Sequence, residues 1–148
     1  MINALAKIGC KEALPYLNEI VDKNKDMDMV TMKASLSYIR LKREAPNDMT
    51  IIMKLLEIGK RSVFMGAVYA MAYDDVIPTE QEMIAVLNIF EKRAVYDDPY
   101  TYDAQPIISL MHKWRNEIIV PFLGHYKQYS QYSHFIENTL AGKSSCIE

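Results

Sequence analysis

An all-α fold, an α-solenoid of about four stacked helix-turn-helix repeats closed by a C-terminal capping helix, is what this 148-residue sequence predicts. Three observations carry that expectation. Apolar residues recur at helical spacing along nearly the whole chain, with almost no strand-like alternation. One apolar pattern returns four times at a period of about 35 residues, the mark of a repeat array. Glycine, proline and capping residues fall between the periodic segments, where helices have to end.

The recurring pattern is clearest in the second helix of each pair. Its first copy places Leu14, Leu17, Ile20 and Val21 on one face. A shift of 35 gives Met49, Ile52, Leu55 and Leu56, and a shift of 69 gives Met83, Val86, Ile89 and Phe90. A shift of 106 gives Val120, Leu123 and Tyr126, with Lys127 as the one polar intruder. Pro15-Tyr16-Leu17 also returns at that last shift as Pro121-Phe122-Leu123.

Another helix precedes each of these. The first covers 2–8 and turns at Gly9. The second covers 28–42, with Asp28 as N-cap and Met29, Met32, Leu36 and Ile39 on one face. The third, 62–72, is apolar on nearly every side, as expected of a helix buried between neighbours. The fourth, about 103–114, carries Ile107, Leu110, Met111 and Trp114 on one stripe. The repeats therefore span 2–24, 28–59, 62–93 and 101–129 of a single domain. A terminal helix over 131–141 follows, with Gly142 just past its end.

The connections agree. Thr79 and Glu82 have capping-box spacing. Pro46-Asn47-Asp48 leads into the helix that Gly59 ends, and Pro15 and Pro121 sit near helix starts, where a missing amide matters least. The longest connection, 94–102, contains Asp97-Asp98-Pro99.

Composition narrows the function. The 17 basic and 19 acidic side chains nearly balance, which argues against nucleic acid as the main partner. The charge is uneven along the chain: residues 1–61 hold 11 basic and 8 acidic groups, residues 62–148 hold 6 and 11. Cys10 and Cys146 are far apart and make neither a disulfide framework nor a zinc knuckle. Ten methionines beside two unpaired cysteines suit a reducing, cytoplasmic setting. No signal-peptide pattern opens the chain, and the longest uncharged apolar run, 62–73, is too short for a bilayer.

The stretch Ala4-Leu5-Ala6-Lys7-Ile8 followed by Gly9-Cys10-Lys11-Glu12-Ala13-Leu14-Pro15-Tyr16-Leu17 resembles a HEAT or HEAT-like (armadillo-type) repeat. There a short first helix ends near a glycine and the second opens with a proline. The resemblance is best over 2–24. Over 101–129, Lys113-Trp114-Arg115 stands in place of the glycine, and 28–59 and 62–93 keep the helical register without the proline. The resemblance implies an α-solenoid that binds proteins, occasionally nucleic acid, along its second helices, and it implies no reaction. The chain opens in mid-pattern without a polar cap before Ile2. An uncapped repeat exposes its apolar face, so the expectation is either further repeats upstream or an oligomer contact at that end.

Candidate binding residues follow from helix geometry. Positions two beyond each core residue are rotated by about 200° from it. They form a ridge of Tyr16, Glu19 and Lys23, then Ile51, Lys54 and Ile58, then Ala85, Asn88 and Lys92, then Phe122, His125 and Tyr129. Mixed charge, amide, imidazole and aromatic groups suit protein recognition, and a plain solvated face is the competing reading. Tyr100 and Tyr102, in the 94–102 loop, are further interface candidates.

Catalytic chemistry finds no footing. Asp74-Asp75 and Asp97-Asp98 are explained by turns and helix N-termini. His112, His125 and His134 lack ligand spacing, no glycine-rich phosphate loop appears, and Trp114 belongs to a core stripe. The expectation is a non-enzymatic scaffold without cofactor or metal, whose partner is another protein. Two other readings stand beside it: a bacterial immunity protein that neutralises a toxin domain, and a HEAT-like nucleic-acid-binding or DNA-repair module.

Overall fold

The computed structural model describes residues 7–93, 95, 104–114 and 116–120. It is helical, with no strand among the described residues. A 3-10 turn, Lys11–Ala13, leads into α1 (Leu14–Lys23), followed by α2 (Met29–Lys42), α3 (Thr50–Ile58), α4 (Arg61–Tyr73), α5 (Glu80–Lys92), α6 (Ala104–Lys113) and the short α7 (Asn116–Ile119). The chain divides into two compact units, Met1–Thr79 and Glu80–Glu148.

In the first unit, α2 packs between α1 and α4, and α3 packs on α4. Local chemistry sets the ends. Gly9 takes a left-handed φ of 67° before α1, and Pro15 lies in the first turn of that helix, where its missing N–H leaves no bond unmade. Asp28 caps α2 by accepting from the Thr31 amide at 3.2 Å. Gly59 ends α3, and a two-residue link turns the chain into α4.

The interior of this unit is apolar and closely packed. Leu17, Ile39, Ile52, Leu55, Leu56, Phe64 and Met71 are fully buried. Each large side chain removed from water stabilises by about 1.5 to 3 kcal/mol. Helix α4 is buried on nearly every side, as its all-round apolarity predicts. Helix α2 differs from expectation. Met29, placed on the buried stripe, is 60% exposed, and Met32 and Leu36 are half-buried. Ile39 is buried as expected, but the rest of the buried set is Thr31, Ala34, Ser35, Ser37 and Leu41. A helix covered on two sides needs short side chains where its neighbours approach. Gly66 of α4 supplies the closest approach: a Cβ there would lie 2.7 Å from Ser35 Cβ and 2.9 Å from the Met32 carbonyl oxygen.

Polar ties link α2 and α4 at both ends. The Asp28 N–H donates to Ser62 Oγ at 2.6 Å, and Arg40 grips Asp74 through two bonds of 2.8 Å. Each pair is 34 residues apart. N-terminal end meets N-terminal end and C-terminal end meets C-terminal end, so the two helices run parallel.

In the second unit, α5 and α6 both pack on α7. Val86, Leu87, Phe90, Ile107, Leu110, Met111 and Trp114 are buried, so the indole lies in the core. Val120, expected at a core position of the last repeat, is 40% exposed. The 131–141 helix and the 94–102 loop tyrosines lie outside the described residues. No helix among the described residues is long and apolar enough to cross a membrane.

Candidate protein-binding surface

Helices α1 and α3 each bury one face and present the other. On α1, Leu17 and Val21 are buried while Tyr16, Glu19 and Lys23 are exposed. Tyr16, Glu19 and Lys23 succeed one another at one-turn spacing, and Glu19 pairs with Lys23 across 3.6 Å. On α3, Ile52, Leu55 and Leu56 are buried, and Lys54 and Ile58 are exposed. Ile51 departs from the expected ridge, being 8% exposed. It joins the core because α3 buries two adjacent apolar positions, Ile51 and Ile52, on a wider stripe than the repeat pattern marks.

A cleft of about 90 Å³ lies between α1 and α3. Val21 and Leu55 line it with apolar surface, with Tyr38 of α2 beside them. Asn18 and Asp22 stand on the α1 side, joined by an amide-to-carboxylate bond of 3.1 Å. Lys54 stands on the α3 side. Apolar lining with an ammonium on one side and a carboxylate on the other can seat an apolar side chain while orienting polar groups next to it.

One end of the cleft is built by Asn24. Its backbone ends α1 in the left-handed region, at φ 47°. Its carboxamide spans the α3–α4 turn: Nδ2 donates to the Ile58 carbonyl at 3.2 Å, and Oδ1 accepts from the Lys60 N–H at 2.8 Å. Gly59 sits between these two and is buried, and a Cβ there would collide with the Leu55 carbonyl and Val63.

A second polar cluster organises the loops at the other end of α2. Arg43 donates to the carbonyls of Ala45, Pro46, Asp48 and Asp75, and the Ile77 N–H donates to Pro46 at 2.9 Å. Asp48 accepts from the Thr50 amide, which holds its carboxyl below the ordinary value. The Asp74 hydrogen bond raises Arg40 further above its ordinary value. Asp74 of the Asp74-Asp75 pair is therefore engaged by a guanidinium. Among the described residues, no three His, Cys, Asp or Glu side chains gather as a metal-binding group.

Asn88 and Lys92 are exposed one turn apart on α5, in the second unit. His125, Tyr129, Tyr100 and Tyr102 lie outside the described residues. Sequence reasoning did not single out Asn18, Asp22, Asn24 or Tyr38. The signal for the first two was present, since Asn18 and Asp22 stand four apart on one helix face beside the ridge. Comparison with family models, curated proteins and solved structures finds no match to this chain.

Proposed function

We propose that this chain is a non-catalytic α-solenoid of HEAT-like repeats that acts in the cytoplasm and binds another protein along the exposed faces of its second helices. On this reading Tyr16, Glu19, Lys23 and Lys54 contact the partner around the α1–α3 cleft, and Asn88, Lys92, His125, Tyr129, Tyr100 and Tyr102 are further contact residues.

The observation that carries the repeat reading is the 34-residue offset. Asn24 to Ile58, Asp28 to Ser62 and Arg40 to Asp74 are hydrogen-bonded at that separation. It equals the step between the apolar sets that begin at Met49 and Met83. Contacts at or within one residue of the repeat spacing are what stacked like units make, and they support this reading. The binding reading is supported by the mixed chemistry of the cleft.

The test is capture with the tagged chain from native extract, with and without nuclease, followed by mass spectrometry. One stoichiometric protein, retained after nuclease and lost with Lys54→Glu while the melting curve is unchanged, is the expected result. Loss of all captured material on nuclease treatment, or capture indifferent to Lys54→Glu and Tyr16→Ala together, overturns it.

A further inference from the structure

The link from α1 to α2 contains both non-glycine residues of positive φ among the described residues, Asn24 at 47° and Met27 at 53°. Asparagine visits this region readily; methionine does so rarely, because its Cβ crowds the following carbonyl. The link is tied down on both sides of Met27. Asn24 spans the α3–α4 turn, Asp26 faces Arg61 at 3.9 Å, and the Asp28 N–H is bound by Ser62.

The result is an apolar prominence. Met27 is 76%, Met29 60% and Val30 51% exposed. Three large apolar side chains within four positions stand in solvent on a backbone already fixed, so little ordering remains to be done on docking. Methionine is also the apolar side chain that adapts best to an irregular partner surface.

The rim of the prominence is basic. Lys25 is close enough to act on the Asp28 carboxylate, and Lys33 shares a face with Met29 and Val30 at helical spacing. Both lysines are exposed. The nearby carboxylates are engaged within the fold, Asp26 by Arg61 and Asp28 by Thr31. The complementary surface is an apolar spot with an acidic rim. This chain carries one: α5 exposes Ile84 at 43%, with Glu80 one turn before it and Glu91 two turns after it on the same side. The sequence has the same polarity, basic excess in 1–61 and acidic excess in 62–148.

We propose that Met27, Met29 and Val30 dock on the α5 face of a second copy of this chain, with Lys25 and Lys33 opposing Glu80 and Glu91. Reciprocal docking gives a dimer, and one-way docking gives a chain of copies. The contact is small and of the transient class, with a Kd between about 1 µM and 1 mM. It shares the α5 face with Asn88 and Lys92 but uses neither Lys54 nor the α1–α3 cleft, so Lys54→Glu tests the binding surface above and Lys33→Glu tests this contact.

Sedimentation velocity of the purified chain, over concentrations up to about 1 mM, tests this at low and high salt. The expected result is a mass that rises with concentration and rises less at high salt. Met27→Gly suits the backbone, so the melting midpoint does not fall, and association weakens by about tenfold. Lys33→Glu, an exposed change that leaves the core alone, weakens association as well, and adding Glu91→Lys restores it. A monomer at every concentration overturns the proposal. Association that ignores both Met27→Gly and Lys33→Glu also overturns it.

Discussion

The guanidinium of Arg40 holds the carboxylate of Asp74, 34 residues further along the chain, by two hydrogen bonds of 2.8 Å. At the opposite end of the same helices, Asp28 and Ser62 are joined across the same separation. Two ties at one offset fix the register of α2 against α4 as well as their contact. Apolar packing alone is non-directional and does not set register.

The Arg40–Asp74 pair is half-buried, with side-chain exposures of 32% and 17%. Its worth lies between that of an exposed pair and that of a buried one. Arg40→Ala and Asp74→Ala should each lower unfolding stability by about 1 to 2 kcal/mol in urea titrations. The double variant should fall short of the sum by about 1 kcal/mol. Strict additivity would show that the two side chains do not stabilise one another.

Gly66 lets α4 approach α2. Gly66→Ala gains helix propensity, yet its methyl meets Ser35 Cβ at 2.7 Å and the Met32 carbonyl at 2.9 Å. The overpacking should win, lowering stability by about 1 to 3 kcal/mol. Adding Ser35→Gly removes one of the two obstacles and should relieve part of the strain, after allowing for glycine's own helix penalty of about 1 kcal/mol relative to alanine. A Gly66→Ala variant as stable as the parent would mean the helices are not in close contact there.

The sequence was most legible where burial followed hydropathy. The set Met49, Ile52, Leu55 and Leu56 is buried as the repeat pattern implied, and so are nearly all of α4 and the indole of Trp114. It was least legible on α2. There Thr31, Ser35 and Ser37, which a hydropathy pattern assigns to water, are buried beside Ala34, Ile39 and Leu41. Their burial follows from two neighbouring helices, a fact of packing that a single helix face does not display. Asp74 read as a turn former because its partner Arg40 is distant in sequence. A search for complementary polar side chains about 35 residues apart, rather than apolar ones alone, would have paired Arg40 with Asp74, whereas the Asp28–Ser62 bond is donated by a backbone N–H and leaves no such signal. On the candidate surface, the exposed positions Tyr16, Glu19, Lys23 and Lys54 followed from helical rotation, while Asn24 and Tyr38 reach the cleft only through tertiary contacts.

Asn24 does two separable things. Its backbone occupies the left-handed region, and its carboxamide bridges Ile58 and Lys60. Asn24→Gly keeps the first and removes the second, so it should cost about 1 to 2 kcal/mol for the lost bonds. Asn24→Ala removes both and should be worse by about 1 kcal/mol, since alanine is strained at this φ. Denaturant midpoints of the two variants check the order. If alanine were no worse than glycine, the left-handed turn would not be the conformation of this site in solution.

The pH dependence of stability should have two limbs. Thr31 holds the Asp28 carboxyl below its ordinary value, chiefly through its hydroxyl, and Thr50 does the same for Asp48, chiefly through its amide. A carboxyl lowered in the folded state stabilises fully above its unfolded value of about 4, and that stability is lost as pH falls through the folded value. His112 is lowered by burial, which disfavours its charged form. Below about pH 6.5 the unfolded chain takes up a proton there that the folded chain still refuses, so stability begins to fall at that point. Urea midpoints measured from neutral to acid pH should therefore decline first below about 6.5 and again below about 4. His112→Gln should remove its share of the first limb and leave the second, whereas Asp28→Asn with Asp48→Asn should weaken the second and leave the first. A His112→Gln profile parallel to the parent down to pH 5 would show that the imidazole is freely solvated in the folded chain.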